Sequence, residues 1–82
     1  MIKIIYFGAL QDLLGKKCES LAWNFGTTDD LLKMLRTFNQ TYNDALAPHN
    51  IFRLAVNERI IYEQVNLQKG DEVAILPPVT GG

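Results

Sequence analysis

Only one stretch of this chain keeps its apolar residues at helical spacing over several turns, and the rest must be arranged around it. In TTDDLLKMLRTFNQTYNDAL (27–46), Leu31, Leu35, Phe38 and Tyr42 recur at steps of three or four, which lines them along one buried stripe. Thr27 or Thr28 is suited to cap the start, and Asp29 and Asp30 fall in the first turn, where negative charge meets the positive end of the helix dipole. As metal ligands the two aspartates would need further donors at compatible positions, and the sequence offers none. They read as a charged helix start.

Around this helix lie short runs rich in β-branched and aromatic residues. MIKIIYF (1–7) reads as a strand ended by Gly8, and ALQDLLG as a short helical turn with Gly15 as its C-terminal cap. CESLAWNF (18–25) is a second strand, closed by Gly26. PHN (48–50) is a loop. IFRLAVN and RIIYE are strands joined by a tight turn at NE, VNLQKGDE is turn-rich, and EVAIL is a last strand stopped by Pro77 and Pro78, which cannot donate to a ladder. The order predicts an α+β fold in which one long helix covers one face of a mixed sheet. Eighty-two residues make one domain, expected over 1–76, followed by a flexible tail over 77–82.

Alternation assigns the faces. Ile2, Ile4 and Tyr6 share one side of the first strand and Lys3, Ile5 and Phe7 the other. Lys3 is costly to bury, so its side is the outer one. In the last strand Val73 and Ile75 oppose Glu72, Ala74 and Leu76; in IFRLAVN, Phe52, Leu54 and Val56 oppose Arg53 and Ala55. If these strands adjoin, Phe7 and Leu76 sit on an open face at the root of the tail, with Ile60 a candidate third member. An apolar patch rimmed by Lys3, Arg53 and Glu72 has the character of a protein-binding surface; the alternative is a scatter of single exposed hydrophobes.

Several function classes find no support. Formal net charge is −1, with Lys and Arg dispersed, whereas phosphate backbones call for a concentrated positive face. No apolar run approaches a membrane span of about 20 residues, and the first ten residues lack a leader's small-residue cleavage site. Cys18 stands alone and permits no internal disulfide, so a cytoplasmic setting is the expectation. It follows Lys16 and Lys17 without a histidine partner and reads as an ordinary strand residue. His49, the single histidine, reads as a solvated loop residue. No nucleophile–base set, zinc spacing or phosphate loop is present.

What is left is the end, PPVTGG. A terminal carboxylate is inert toward acyl transfer until another enzyme activates it, for instance as an acyl-adenylate made with ATP. Gly81 and Gly82, without Cβ atoms, can thread a narrow active site; Pro77 and Pro78 favour an extended exit. Glycine is also common in ends that are merely flexible, so both readings stand at this level.

The stretches MIKIIYFG with LLG after it, LAVNERI, and above all GDEVAILPPVTGG resemble the small, sulfur-carrying subunit of molybdopterin synthase, in order and over nearly the whole chain. The resemblance implies a β-grasp, ubiquitin-like fold and a carrier cycle in a heterotetrameric synthase. An adenylating enzyme would activate Gly82 with ATP, a sulfur donor protein would convert it to a thiocarboxylate, and Val79, Thr80, Gly81 and Gly82 would insert into the large, catalytic subunit to deliver sulfur to a cyclic pterin precursor. It implies that Phe7, Ile60 and Leu76 contact that subunit, and that the chain itself binds no cofactor, metal, nucleic acid or membrane. Gln11 and Asp12 depart from the Arg–acidic pair of many members. The sulfur carriers of thiamine biosynthesis and tRNA thiolation share the chemistry. A non-catalytic β-grasp interaction module with a merely flexible tail is the alternative of another class.

Overall fold

The computed structural model describes residues 1–77. Its elements run β1 (Ile2–Tyr6), α1 (Ala9–Leu14), β2 (Cys18–Leu21), β3 (Gly26–Thr27), α2 (Thr28–Arg36), α3 (Gln40–Ala45), β4 (Arg53–Val56), β5 (Arg59–Ile61), β6 (Asn66–Leu67) and β7 (Glu72–Leu76). Five strands form one sheet in the order β2-β1-β7-β4-β5, and β3 with β6 makes a separate two-stranded ladder. The central pair β1–β7 is parallel and the other pairs are antiparallel. A mixed sheet wrapped about helices is the β-grasp arrangement.

The helical stripe and the inner strand residues meet as expected. Leu31 and Leu35 of α2 and Tyr42 of α3 join Ile2, Ile4, Tyr6, Val73, Ile75 and Leu54 in a buried cluster. Thr27 caps α2 with a reciprocal box: its Oγ1 accepts from the Asp30 amide while the Asp30 carboxylate accepts from the Thr27 amide. The Thr27 amide first, and then the Thr27 hydroxyl donating to the same carboxylate at 3.2 Å, hold the Asp30 carboxyl below its ordinary range.

The expected single long helix is instead two. α2 stops at Arg36, and Asn39, in extended backbone, restarts the chain as the cap of α3 by accepting from the Tyr42 amide at 3.0 Å. Before it, Thr37 turns its hydroxyl back onto the Met34 carbonyl at 2.6 Å. Threonine and asparagine offer the backbone local alternatives to the helical ladder, and here two act within three residues. Phe38, placed by periodicity in the stripe, falls in the break and is 41% exposed, its ring edge-on to Tyr42.

Two further departures are small. The strand expected over 18–25 ends at Leu21; Trp23 instead turns inward and donates its indole N–H to the Leu67 carbonyl at 3.1 Å. Within the turn-rich 65–72 segment, Asn66 and Leu67 form β6 against Gly26 and Thr27. Thr28, buried, exchanges two bonds with Val65 and ties this ladder to the start of α2.

One carboxylate organises the helix side of the sheet. Glu19 of β2 accepts hydroxyl bonds from Tyr6 at 2.6 Å and Tyr42 at 2.7 Å, and pairs with Lys16 at 3.6 Å. Burial first, and the bond to Glu19 second, raise both tyrosines above their ordinary value.

Candidate partner-binding face

The sheet face away from the helices is built by strand register. Ile5 of β1 lies beside Cys18 of β2 and Ala74 of β7; Ala74 faces Ala55 of β4, and Ala55 faces Ile60 of β5. Residues in register point to the same side, so these five form one row across all five strands. Two alanines at its centre leave a low strip between the taller Ile5 and Ile60. Ala55 is only 7% exposed although it lies on the outer face, because its single methyl sits below its neighbours.

The next row lies toward the end of β7. Phe7 extends the parallel ladder by donating its amide to the Ile75 carbonyl at 3.2 Å, and Leu76 stands opposite Arg53. Phe7 is 41% exposed and Ile60 50%. Lys3 and Glu72, in register, border the row on its other side. The parity assignment for Phe7, Ile5, Ala74 and Leu76 therefore holds.

Ile60, whose orientation the sequence alone left less secure, is fixed by the turn that precedes it. Asn57 and Glu58 both have positive φ, 50° and 70°, the two-residue hairpin geometry that sets Val56 opposite Arg59 and Ala55 opposite Ile60. Asn57 is held by a bond to the Asp71 carboxylate and by accepting from the Glu72 amide, both at 3.0 Å. Tyr62, which sequence reasoning passed over, joins Arg53 at the rim. Arg53 lies with its guanidinium 5.7 Å from the ring centre of the exposed Tyr62, a cation–π contact. Counting outward from the Asn57–Glu58 turn would have found Tyr62, since it falls opposite Arg53.

Cys18, exposed, ends the row on β2. The other candidate stays apart from this face. His49 lines a groove of about 430 Å³ between α1, α3 and the loop before β4, with Leu10, Ile51, Phe52 and Pro77. Among the described residues no group of three or more His, Cys, Asp or Glu could hold a metal ion, and no helix is long and apolar enough to cross a membrane. Of the expected tail, Pro77 is the described part; Val79, Thr80, Gly81 and Gly82 lie outside the described residues.

What the geometry offers is thus an apolar, alanine-floored face that ends where β7 gives way to Pro77. Comparison with known proteins places the chain. A family model described as the ThiS family matches residues 4–82. The chain belongs to the ThiS family. Within it, this ThiS-family chain is 33% identical over 82 residues to the molybdopterin synthase sulfur carrier subunit of Escherichia coli (strain K12), with 100% of each chain covered. Two solved structures share its fold at 22% identity. A Haloferax volcanii protein determined in solution superposes with a TM-score of 0.77, covering 99% of this chain and 85% of that one. A chain of the complex of subunits 1 and 2 of the molybdopterin-converting factor from Helicobacter pylori 26695 gives 0.71, covering 99% and 97%.

Proposed function

We propose that this chain is a sulfur carrier subunit of molybdopterin synthase and that the carboxylate of Gly82 is its reactive group. The observation that carries the reading is the apolar outer face, with Phe7 and Leu76 side by side next to Pro77 and Ile60 in the neighbouring row; the full-length likeness to a named carrier supports it. A face of this kind docks the large subunit and aims whatever follows Pro77 into that subunit's active site. Phe7, Ile60 and Leu76 are the docking residues, with Tyr62 and Arg53 at the rim.

The chemistry is divided among partners. In an adenylating enzyme, a Gly82 carboxylate oxygen attacks the α-phosphorus of ATP, forming an acyl-adenylate and releasing pyrophosphate. A sulfur donor then supplies sulfur at the oxidation level of hydrosulfide; it adds at the acyl carbon, AMP departs, and a thiocarboxylate remains. On the large subunit the sulfur passes to a pterin precursor and water restores the carboxylate. Val79, Thr80 and Gly81 traverse the slot. ATP is consumed by the activating partner, the carrier holds no cofactor, and the residues that catalyse transfer belong to the large subunit.

The test is intact-mass spectrometry after incubation with the adenylating enzyme, ATP and a sulfur donor. A species heavier by one oxygen-for-sulfur exchange, mapped to Gly82 and sensitive to thiol alkylation, is expected. A chain carrying one extra residue after Gly82 should stay unmodified while still binding the large subunit. An ordinary carboxylate under all conditions would overturn the carrier reading and leave a plain interaction module.

A further inference from the structure

The junction between β1 and α1 lies directly against the root of the tail. Gly8 has φ 61° and ψ −138°, a region that only glycine enters freely. A Cβ placed on it would stand 2.9 Å from Cγ of Pro77, 3.6 Å from its Cδ and 3.7 Å from its Cβ. The atom met first belongs to a closed ring and not to the far end of a mobile side chain, so the ring itself would have to move. On either side the backbone is held: the Phe7 amide donates to Ile75, and Gly8 accepts from the Gln11 amide at 3.1 Å as α1 begins. The other side of the proline borders the groove lined by Ala9, Leu10, Ile51 and Phe52.

We infer that Gly8 is a positioning residue for the tail: its bare backbone is the seat on which the Pro77 ring rests, and that seat sets the direction in which the chain leaves β7. The inference deepens the carrier reading and rests on it. The mechanics are those of a lever. Five residues follow Pro77 and can reach at most about 17 Å, so tilting their origin by about 10° would displace an extended end by about 3 Å. Acyl chemistry tolerates little of that, since a misplacement of about 1 Å can cost about a hundredfold in rate.

The experiment is a double-mutant cycle over Gly8→Ala and Pro77→Ala, read by ATP–pyrophosphate exchange with the adenylating enzyme and by thermal unfolding. Gly8→Ala should lower kcat about ten- to a hundredfold with KM within about twofold, because the substitution re-aims the exit and removes no side chain that a partner could grip. Pro77→Ala, which removes the ring and leaves Gly8 alone, should lower kcat severalfold without moving the unfolding midpoint. With no ring to displace, only the backbone strain of an alanine at position 8 remains, so the loss in the double variant should fall well short of the product of the two single losses. Losses that multiply, an unchanged kcat in Pro77→Ala, or losses that follow the midpoint alone would overturn the inference. Should Gly8→Ala not fold, Pro77→Ala decides by itself. A wild-type chain that the enzyme does not adenylate would instead remove the carrier reading, and the positioning role with it.

Discussion

Phe7 and Leu76 occupy adjacent strands at the same end of the sheet, each on the side opposite the core residues Tyr6 and Ile75. Their surface position makes them separable from folding. Leu76→Asp should weaken binding to the large subunit at least tenfold, and Phe7→Ala about tenfold, a loss of about 1–2 kcal/mol typical of an aromatic anchor. Both should unfold cooperatively with midpoints near wild type. The check is calorimetric titration beside thermal unfolding; loss of cooperative unfolding would mean that these side chains belong to the core. At this scale the sequence was informative because Lys3 marks which side of β1 is wet and strict alternation carries the assignment to Phe7. It was silent on Gly8, since the need for a missing Cβ arises from Pro77, a residue distant in the chain.

Among the elements, the α2–α3 break is where periodicity and local chemistry disagree. Leu31, Leu35 and Tyr42 do reach the core, so the repeat is real, yet Asn39 and Thr37 interrupt the ladder between them. A repeat of apolar residues reports which side is buried and is blind to a pause that preserves the phase. Asn39→Ala should remove the cap of α3 and cost about 1 kcal/mol, read as a lower urea midpoint with unchanged slope. The β3–β6 ladder was illegible for a different reason. Two residues per strand hold no pattern, and the pairing depends on the Trp23 indole and the Thr28–Val65 bonds. The Glu19 pair of hydroxyl bonds likewise joins residues from three elements and leaves no local trace.

For the whole molecule, the carboxylates and tyrosines set the pH range of stability. Asp71, held down first by the Gln68 amide and then by Asn57, and Asp30 at its cap bind protons less tightly folded than unfolded. Their contribution is present above the ordinary value of 3.8 and is lost as pH falls through their lower folded values. Tyr6 and Tyr42 shift the other way: their contribution is full below 10.0 and fades as pH rises through their raised folded values. Urea unfolding as a function of pH should therefore show a plateau with losses on the acid side below about pH 4 and on the alkaline side above about pH 10. Asp71→Asn should flatten the acid limb and Tyr42→Phe the alkaline one.

The parallel pairing of β1 with β7 has a temporal consequence. β1 is synthesised before β7 and waits for it, and until Glu72–Leu76 arrive the sheet is in two pieces, β2-β1 and β4-β5, with nothing between them. Such a chain cannot fold in instalments as it leaves the ribosome. Ala74 and Leu76 also belong to the outer face, so a chain broken off before β7 lacks both the centre of its core and the middle of its docking surface. A truncated product keeps Phe7 and Ile60 but has no strand to hold them on one surface.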